Sequence, residues 1–388
     1  MVNTTKVKGF EDFLGEDAKK REKMMDVIRN QFKLFGFEPA ETPIIESEEF
    51  VRGDNEKDSA VRDIFKLQDR GERKLALRFE FTFQLKRIAK NQKLPYKRYQ
   101  IGYNFRDEPI REGRLRQFIQ CDADIIGSSI KDEAELLALA KNVFDDLKIS
   151  SKIYINNRKL INEILETEKI PERDRDQIIR ELDKLDKLSK EEVAKNLKEF
   201  KAEKLLEIFT GKEKSFEKYA YFKEIQKLKD LARAYGVEVE FRPFLARGLS
   251  YYNGSVFEIW AKELGVSLSG GGSFLIDGIQ STGISFGLEP LFLISKIDNS
   301  NKDVLVLSIS QDEKAVALAN KLREKSVPVV LLMDKSPSKA LDYANSKKIE
   351  NVIIIGEEEV KSKKYTIKNM KSGKEEKLAE KEILEKFS

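Results

Sequence analysis

The segment from Tyr103 to Gly127, YNFRDEPIREGRLRQFIQCDADIIG, constrains the fold of this chain more than any other. Polar and apolar residues alternate in its second half, and successive side chains of a strand point to opposite faces. One face would carry apolar or small side chains: Ile119, Cys121, Ala123 and Ile125. The other face would carry polar side chains: Gln120, Asp122 and Asp124. The pattern therefore predicts two antiparallel strands joined by a charged loop.

Charged residues of both signs share the polar side of this hairpin. Arg106 and Glu108 alternate on the first strand, and Arg114 and Arg116 stand at the far end of the loop. An ordinary buried hairpin would not place arginines and carboxylates on one surface without a ligand to neutralise them. A polyanion over the arginines and a small polar cation near the carboxylates would satisfy both groups. ATP and an amino acid fit that description.

The composition limits the chemistry that is open to this chain. It has no histidine and one cysteine, which excludes catalytic triads with histidine, histidine metal sites and cysteine-rich zinc sites. Lysine and arginine (72) nearly balance aspartate and glutamate (68), so any basic surface is local. The N-terminus is polar and no long apolar run follows it, which indicates a soluble, cytoplasmic protein without a membrane partner.

Shifts in composition predict the domain organisation. Residues 1–297 form an α/β domain with an α+β core, interrupted at approximately 160–235 by a highly charged and solvated helical insertion. Residues 298–302 form a polar linker, and the alternation of strands and helices in 303–388 predicts a small βαβ-type domain with a largely parallel sheet.

Periodicity also predicts individual helices outside the insertion. Apolar residues recur at three- and four-residue steps in 16–35, and similar patterns predict helices at Phe81–Asn91 and 131–148. The chain end near 375–387 is predicted to be the last helix of the terminal domain.

Two further clusters each allow a functional and a structural interpretation. Glu80 and Thr82 lie two residues apart and could bind an α-ammonium group, although threonine is also a common helix N-cap. Arg247 followed by Tyr251 and Tyr252 could wall a pocket for a flat polar side chain. The same residues also fit an ordinary aromatic strand that ends in a turn.

Taken together and in chain order, these segments resemble histidyl-tRNA synthetase, a class II aminoacyl-tRNA synthetase, in an archaeal/eukaryotic-like form. The resemblance rests on GFEPAETPIIE, LRFEFTFQLKR, the hairpin segment and ARGLSYYNGSVFE, and the terminal domain is similar to an anticodon-binding module. It implies an antiparallel sheet flanked by helices, and a homodimer with Pro43 at its interface. It also implies ATP, Mg²⁺, L-histidine and tRNA(His) as cofactors and partners, with no protein ligands to a metal.

The resemblance implies a role for each matching residue. Arg106 and Arg247 would be the catalytic cations. ATP would be bound by Arg106, Glu108, Arg114, Phe118 and Gly287. Histidine would be bound by Glu80, Thr82, Gln120, Asp124, Arg247, Tyr251 and Tyr252.

Three departures from the family pattern support an alternative. Pro290 stands where an arginine is expected to pack against adenine and the phosphates, Ser273 replaces another arginine, and Ser250 replaces an aspartate. Either another cation compensates, for example Lys296 or Arg87, or activity has declined. The alternative function is therefore a non-catalytic paralogue with a regulatory or RNA-binding role.

Overall fold

The computed structural model of this chain describes residues 2–53, 59–247, 251–261, 266–299 and 302–387. Its contacts divide the chain into two compact units, Met1–Ile297 and Asp298–Ser388. Ser250 and part of the expected linker, residues 300–301, lie outside the described residues.

The first unit contains the larger sheet and most of the helices. Its strands are β1 (Glu38–Pro39), β2 (Ile45–Ser47), β3 (Lys66–Gln68), β4 (Lys74–Leu77), β5 (Tyr96–Phe105), β6 (Gln117–Ile126), β7 (Ser151–Asn157), β8 (Glu240–Phe241), β9 (Tyr252–Ala261), β10 (Val266–Ile276) and β11 (Ile279–Gly287). Its α-helices are α1 (Gly15–Leu34), α2 (Glu48–Arg52), α3 (Ser59–Arg62), α4 (Leu85–Ile88), α5 (Ile130–Asp146), α6 (Arg158–Thr167), α7 (Glu172–Asp183), α8 (Lys190–Lys198), α9 (Lys204–Phe209), α10 (Phe222–Ala234) and α11 (Leu288–Ile294).

Eight strands form the central sheet in the order β1-β5-β6-β11-β10-β9-β7-β8. The inner strands pair antiparallel, and only the short edge strands β1 and β8 pair in parallel. Apolar side chains from one sheet face pack with α1, α5 and the insertion helices in a continuous core. The expected α/β class with an antiparallel, helix-flanked sheet is confirmed.

The predicted hairpin is β5 and β6, which pair antiparallel from Tyr96 opposite Ile126 to Phe105 opposite Gln117. The apolar face of β6 is buried in the main core, as expected. The first strand ends at Phe105, however, so the prediction that Arg106 and Glu108 lie on a strand is wrong. Both residues lie in the connecting loop, where the Arg106 amide still donates to the Arg116 carbonyl (2.9 Å).

The helix expected at Phe81–Asn91 is shorter than its sequence pattern suggested. Only Leu85–Ile88 is α-helical, followed by a single 3₁₀ turn at Ala89–Asn91. The residues before it are not helical, because their phenylalanines are buried in the core. The Gln84 side chain also donates from Nε2 to the Pro43 carbonyl (2.9 Å). Glu80 and Thr82 consequently lie on an irregular segment, and the N-cap position of this helix is Gln84.

The insertion is helical, but it is not simply a solvated appendage. Helices α6 to α10 are amphipathic, and their apolar faces join the same core as the central sheet. Ile178, Leu197 and Phe209 are each almost completely buried in that core. The charged residues of the insertion lie on the outer faces of these helices, because each amphipathic helix has one apolar and one polar face.

The second unit is a smaller α/β domain. Its elements are β12 (Val304–Ser308), α12 (Asp312–Glu324), β13 (Val329–Leu332), α13 (Pro337–Ser346), β14 (Asn351–Ile355), α14 (Glu357–Ser362), β15 (Lys364–Asn369), β16 (Glu375–Ala379) and α15 (Glu380–Phe387). The sheet order is β13-β12-β14-β15-β16, parallel around β12 and antiparallel beyond β14. The last helix therefore begins at Glu380, because the preceding residues pair as an edge strand. Among the described residues, no helix is both long and apolar enough to cross a membrane.

Candidate functional site

Glycines on one face of the central sheet make room for charged side chains. A Cβ on Gly283 of β11 would lie 2.0 Å from Asp124 Oδ1, and one on Gly270 of β10 would lie 1.5 Å from Arg247 Nη1. Any other residue at these positions would displace those groups, since such separations are far below van der Waals contact. The strand register places Gly283 beside both Asp124 and Gly272, so the two slots lie on neighbouring strands. We call this surface the glycine-lined face.

Asp124 is buried on this face in an ion pair with Arg98 of β5. The Asp124 Oδ2 to Arg98 Nη2 distance is 2.6 Å, and Arg98 is completely buried. Burial raises the pKa of Asp124 to about 7, although the Arg98 charge acts in the opposite direction. Within the described part of the chain, Arg98 Nε and Nη1 have no hydrogen-bond partner, so this buried pair retains polar capacity for a ligand.

Gln120 and Asp122 extend the polar row along β6. Gln120 accepts from Asn104 Nδ2 (3.0 Å) and donates from Nε2 to Asp122 Oδ2 (2.9 Å). Burial raises the pKa of Asp122, against the opposing effects of Arg98, Ser285 and Gln120. Two carboxylates are therefore buried beside Arg98, and the charges of Arg78 and Arg106 also act on Asp122.

A hydrogen-bonded series connects Thr82 to Arg247. Tyr251 is hydrogen-bonded to Thr82 and Tyr252, and Tyr252 is hydrogen-bonded to Arg247. Burial raises the pKa of Tyr251 well above its usual value, with the Tyr252 and Glu80 charges acting in the same direction. Both tyrosines are therefore neutral hydroxyl groups at physiological pH, able to donate as well as accept. The structure thus brings together two segments that are far apart in sequence, one with Glu80 and Thr82 and the other with Arg247, Tyr251 and Tyr252.

Arg247 lies across the floor formed by Gly270. Its Nη1 is 3.2 Å from Glu258 Oε1, and its backbone has φ +56°, an uncommon conformation for a residue with a side chain. Burial alone would lower the pKa of Arg247, but Tyr252 and Glu258 more than offset this, so the pKa is raised. The guanidinium is therefore a permanent cation on the glycine-lined face.

The loop between β5 and β6 is more open. Arg106 Nε donates to the Phe79 carbonyl (3.1 Å), and its guanidinium lies 5.1 Å from the centre of the Phe118 ring. Arg114 is 62% exposed and its Nη1 is 3.7 Å from Glu108 Oε2. At this distance and exposure the pair is weak, which leaves Arg114 available for another anion.

The structure also locates the residues that depart from the family pattern. Ser273 is buried and its hydroxyl donates to Glu133 of α5, on the sheet face opposite to the glycine-lined face. The strand register therefore directs the side chain at position 273 away from the glycine-lined face, and the serine found there in place of an arginine contacts α5 instead. Pro290 lies in the first turn of α11, near the loop glycine: a Cβ on Gly113 would lie 3.3 Å from its Cα.

The two cations considered as substitutes are placed differently. Arg87 is held by Glu46 through two hydrogen bonds, Nη1 to Oε2 (2.9 Å) and Nη2 to Oε1 (2.6 Å). Lys296 is exposed beyond the end of α11. The bidentate pair occupies the Arg87 guanidinium, so it is a poor replacement for the missing arginine.

Arg98 and Glu258 are site residues that the sequence patterns did not single out. Alternation along β5 places Arg98 on the same face as Gln100, Gly102 and Asn104. This row pairs across the hairpin with the β6 row that contains Asp124, so Arg98 was detectable in principle. Glu258 carried no comparable signal. Its contact with Arg247 depends on how β9 and β10 pair, which a single sequence does not specify.

Known families account for almost the whole chain. Residues 9–291 match the family model described as histidyl-tRNA synthetase, and residues 303–388 match the anticodon-binding domain. The chain belongs to the histidyl-tRNA synthetase family. Histidine–tRNA ligase 1 of Bacillus cereus is 35% identical over 417 residues, covering 97% of this chain and 98% of its own length. Histidine–tRNA ligase of Clostridium tetani is 31% identical, with 99% and 98% covered.

Solved structures agree on the fold of this family member. Histidyl-tRNA synthetase from Nostoc sp. PCC 7120 superposes with a TM-score of 0.87 at 24% identity, covering 100% of this chain and 99% of that one. An ATP phosphoribosyltransferase regulatory subunit/histidyl-tRNA synthetase from Bacillus halodurans C gives 0.76 at 22% identity, covering 88% and 96%. The family model and the curated relatives support the ligase rather than the non-catalytic alternative.

Proposed function

We propose that this chain ligates L-histidine to tRNA(His) through a histidyl-adenylate formed on the glycine-lined face. The histidine end of this site comprises Glu80, Thr82, Gln120, Asp124, Tyr251 and Tyr252. The ATP end comprises Glu108, Arg114, Phe118 and Gly287, and Arg106 and Arg247 act between the two ends. The observation that carries the proposal is that the Thr82–Tyr251–Tyr252–Arg247 series and the buried Asp124 share one sheet face. Tyr252 lies against Gly272 and Asp124 against Gly283, and these two glycines pair directly across neighbouring strands.

Histidine fits the histidine end by charge and by shape. Its ammonium group would bind Glu80 and Thr82, and Gln120 would lie near its carboxylate and ammonium end. Asp124 and a tyrosine hydroxyl would pair with the ring nitrogens. Each buried polar group of such a site needs its ligand partner, so amino acids that lack ring nitrogens would be rejected strongly.

ATP would bind in the open loop. Phe118 offers a ring face for adenine and Glu108 an acceptor for its amino group, while Gly287 allows close approach of the backbone. Arg114 would reach the distal phosphates. Mg²⁺ would enter with the ATP phosphates, because this ion is usually held by substrate phosphates together with one or two carboxylates rather than by an all-protein site.

The first chemical step needs no protein base. The histidine carboxylate attacks the α-phosphorus, a new oxygen–phosphorus bond forms, and pyrophosphate leaves as the bond to the β-phosphate breaks. Arg106 and Arg247 would neutralise the negative charge that accumulates on the α-phosphate oxygens in the transition state. Catalysis then consists of alignment and charge neutralisation, which a protein without histidine can supply.

The second step transfers the histidyl group to the 3′ end of tRNA, with release of AMP. In this proposal residues 1–297 carry out both steps, and residues 303–388 bind the anticodon end. The match of that second segment to the anticodon-binding family supports this division.

A cytoplasmic homodimer is part of the proposal. Exposed apolar side chains lie close together around the β2-β4-β3 sheet: Ile44 (41% exposed), Ile45 (49%), Leu67 (39%) and Tyr103 (42%). Arg78 links the backbone at two of these positions, because its backbone amide donates to the Ile44 carbonyl and its Nε donates to the Tyr103 carbonyl. Pairing of two such patches around Pro43 would bury them in a two-fold symmetric interface.

Histidine-dependent exchange of pyrophosphate into ATP tests the first step directly. We expect exchange with histidine and none with phenylalanine or glutamine, and aminoacylation of tRNA(His) under the same conditions. Arg106→Ala should lower the exchange rate by about 10²-fold, as is typical when a transition-state cation is removed.

Arg233→Ala is the matched control, because Arg233 is an exposed arginine (72%) in a surface pair with Asp230. It should behave like the parent protein. Folded, dimeric protein with no detectable exchange would overturn the ligase proposal and favour the non-catalytic alternative.

A further inference from the structure

The helical insertion contacts the backbone of a candidate catalytic residue. Asp183 is the last residue of α7, and its Oδ1 accepts hydrogen bonds from the amides of Ala246 (3.0 Å) and Arg247 (3.2 Å). One carboxylate oxygen thus satisfies two consecutive backbone donors. Such charge-assisted bonds are among the stronger hydrogen bonds in proteins.

These bonds act at a backbone conformation that is uncommon for a residue with a side chain. Arg247 has φ +56°, and residues other than glycine avoid this left-handed region because Cβ crowds the backbone. A non-glycine residue keeps such a conformation only when its surroundings hold it there. Without Asp183, the Arg247 backbone would be free to relax, and its guanidinium would leave the slot above Gly270.

A second contact from the insertion fixes the start of the same segment. Asp186 Oδ1 is 2.7 Å from Arg242 Nη1. The Arg242 guanidinium lies 3.4 Å from the centre of the Tyr154 ring and 4.6 Å from that of Trp260, which anchors it to β7 and β9. The segment from Arg242 to Arg247 is therefore held at both ends by the insertion.

We propose that Asp183 is a positioning residue for Arg247, and that the helical insertion is a structural part of the adenylation site. This inference rests on the role of Arg247 in the proposed function. Asp183 touches neither substrate in this account. It keeps the Arg247 backbone in the conformation that places the guanidinium over Gly270.

A simpler interpretation is that Asp183 only docks the insertion onto the core. Its charge also favours the protonated form of Arg158, whose pKa burial lowers. Docking alone predicts lower thermal stability with unchanged kinetics. Positioning predicts a lower kcat for exchange, even in protein that remains folded.

Asp183→Ala and Asp183→Asn separate the two interpretations. Alanine removes the acceptor, and we expect kcat for pyrophosphate exchange to fall by about 10²-fold, since small misplacements of catalytic groups have effects of this size. Asparagine keeps an Oδ1 acceptor without the charge, so kcat should stay within about fivefold of the parent, because a neutral hydrogen bond is weaker but present. KM for histidine should change less than kcat in both variants.

Asp176→Ala is the matched control on the same helix. Asp176 is 72% exposed, and its Oδ1 is 3.7 Å from Arg158 Nη2. This variant also removes an acidic neighbour of Arg158, but it leaves the Asp183 bonds intact. It should share any small loss of melting temperature and retain the parent kcat.

A double-mutant cycle with Arg247→Ala completes the test. If Asp183 acts through Arg247, then Asp183→Ala should have little further effect on kcat in the Arg247→Ala background. Equal effects in both backgrounds, or an asparagine variant as inactive as the alanine variant, would overturn the inference. Full activity of Arg247→Ala would instead show that the proposed role of Arg247 is wrong.

Discussion

The histidine end and the ATP end of the site differ in how far their charges are already paired. At the histidine end, Asp124 is buried against Arg98 at 2.6 Å, and a slot at Gly283 fits its carboxylate. At the ATP end, Arg114 is 62% exposed and lies 3.7 Å from Glu108. The charges of the histidine end are already buried and paired in the free protein, whereas those of the ATP end are exposed to solvent.

The ligands proposed for the two ends account for this difference. A small, weakly charged imidazole must be selected by shape and by a few buried polar groups, and buried charges are tolerated only when paired. ATP brings its own charge, so exposed arginines suffice and incur no desolvation cost in the free protein. We therefore expect substitutions at the histidine end to affect both folding and activity, and substitutions at the ATP end to affect activity alone.

Asp124→Ala should have the largest effect. It removes the ion-pair partner of the buried Arg98, and removing one member of a buried pair lowers the free energy of unfolding by about 3 kcal/mol. KM for histidine should rise by about 10²-fold with the loss of a charged hydrogen-bond acceptor. Denaturant unfolding and pyrophosphate exchange measure the two effects.

The double variant Asp124→Ala, Arg98→Met tests the cause of the instability. Removing the isolated arginine should restore most of the unfolding free energy without restoring histidine binding. If stability does not recover, the buried ion pair is not what makes this end sensitive.

Gly283→Ala should disturb the same carboxylate without removing it. The new Cβ would lie 2.0 Å from Asp124 Oδ1, so the carboxylate must move. We expect KM for histidine to rise about thirtyfold, as misplaced binding groups lose much of their effect, while KM for ATP stays close to that of the parent. Gly71→Ala, at a turn with no contact closer than 3.5 Å, is the control. Equal changes in both KM values would mean that the slot is not specific to the histidine end.

The sequence predicted the parts of this site that depend on local periodicity. Alternation along β6 placed Gln120, Asp122 and Asp124 on one face, and the structure agrees. It did not predict the close approach of Gly283 to Asp124 or the direction of Ser273. Those depend on how distant strands pair, and β10 has irregular register with β9 at Gly272/Phe274.

The missed secondary structure has related causes. The strand Glu375–Ala379 is rich in charge because it lies at a sheet edge, so it lacks the apolar alternation that marks a buried strand. The helix expected at Phe81–Asn91 was shortened because burial of its phenylalanines prevailed over helix propensity.

Arg114→Ala should separate the two ends most clearly. Arg114 forms only a weak exposed pair, and such pairs contribute little to folding. Thermal unfolding should therefore be unchanged. KM for ATP should rise about tenfold through the loss of a charge-assisted contact with phosphate, with KM for histidine unaffected. Arg173→Ala, at an 85% exposed arginine in the insertion, controls for the loss of a surface cation. A destabilised Arg114→Ala variant would contradict the distinction between a prebuilt and an open end.

Pro290→Arg should have the smallest effect. Pro290 packs against the loop glycine, since a Cβ on Gly113 would lie 3.3 Å from the Pro290 Cα. An arginine side chain at position 290 would therefore start in contact with the loop. The adjacent Glu289 is already fixed by Arg21 (2.8 Å) and accepts from the Ile119 amide (3.1 Å), which holds the start of α11 in place. We expect the exchange rate to rise about threefold or less, because an added cation near exposed phosphates is strongly screened. A gain of several tens-fold would show instead that the ATP end lacks a necessary cation, and that its exposed arginines do not compensate for the missing one.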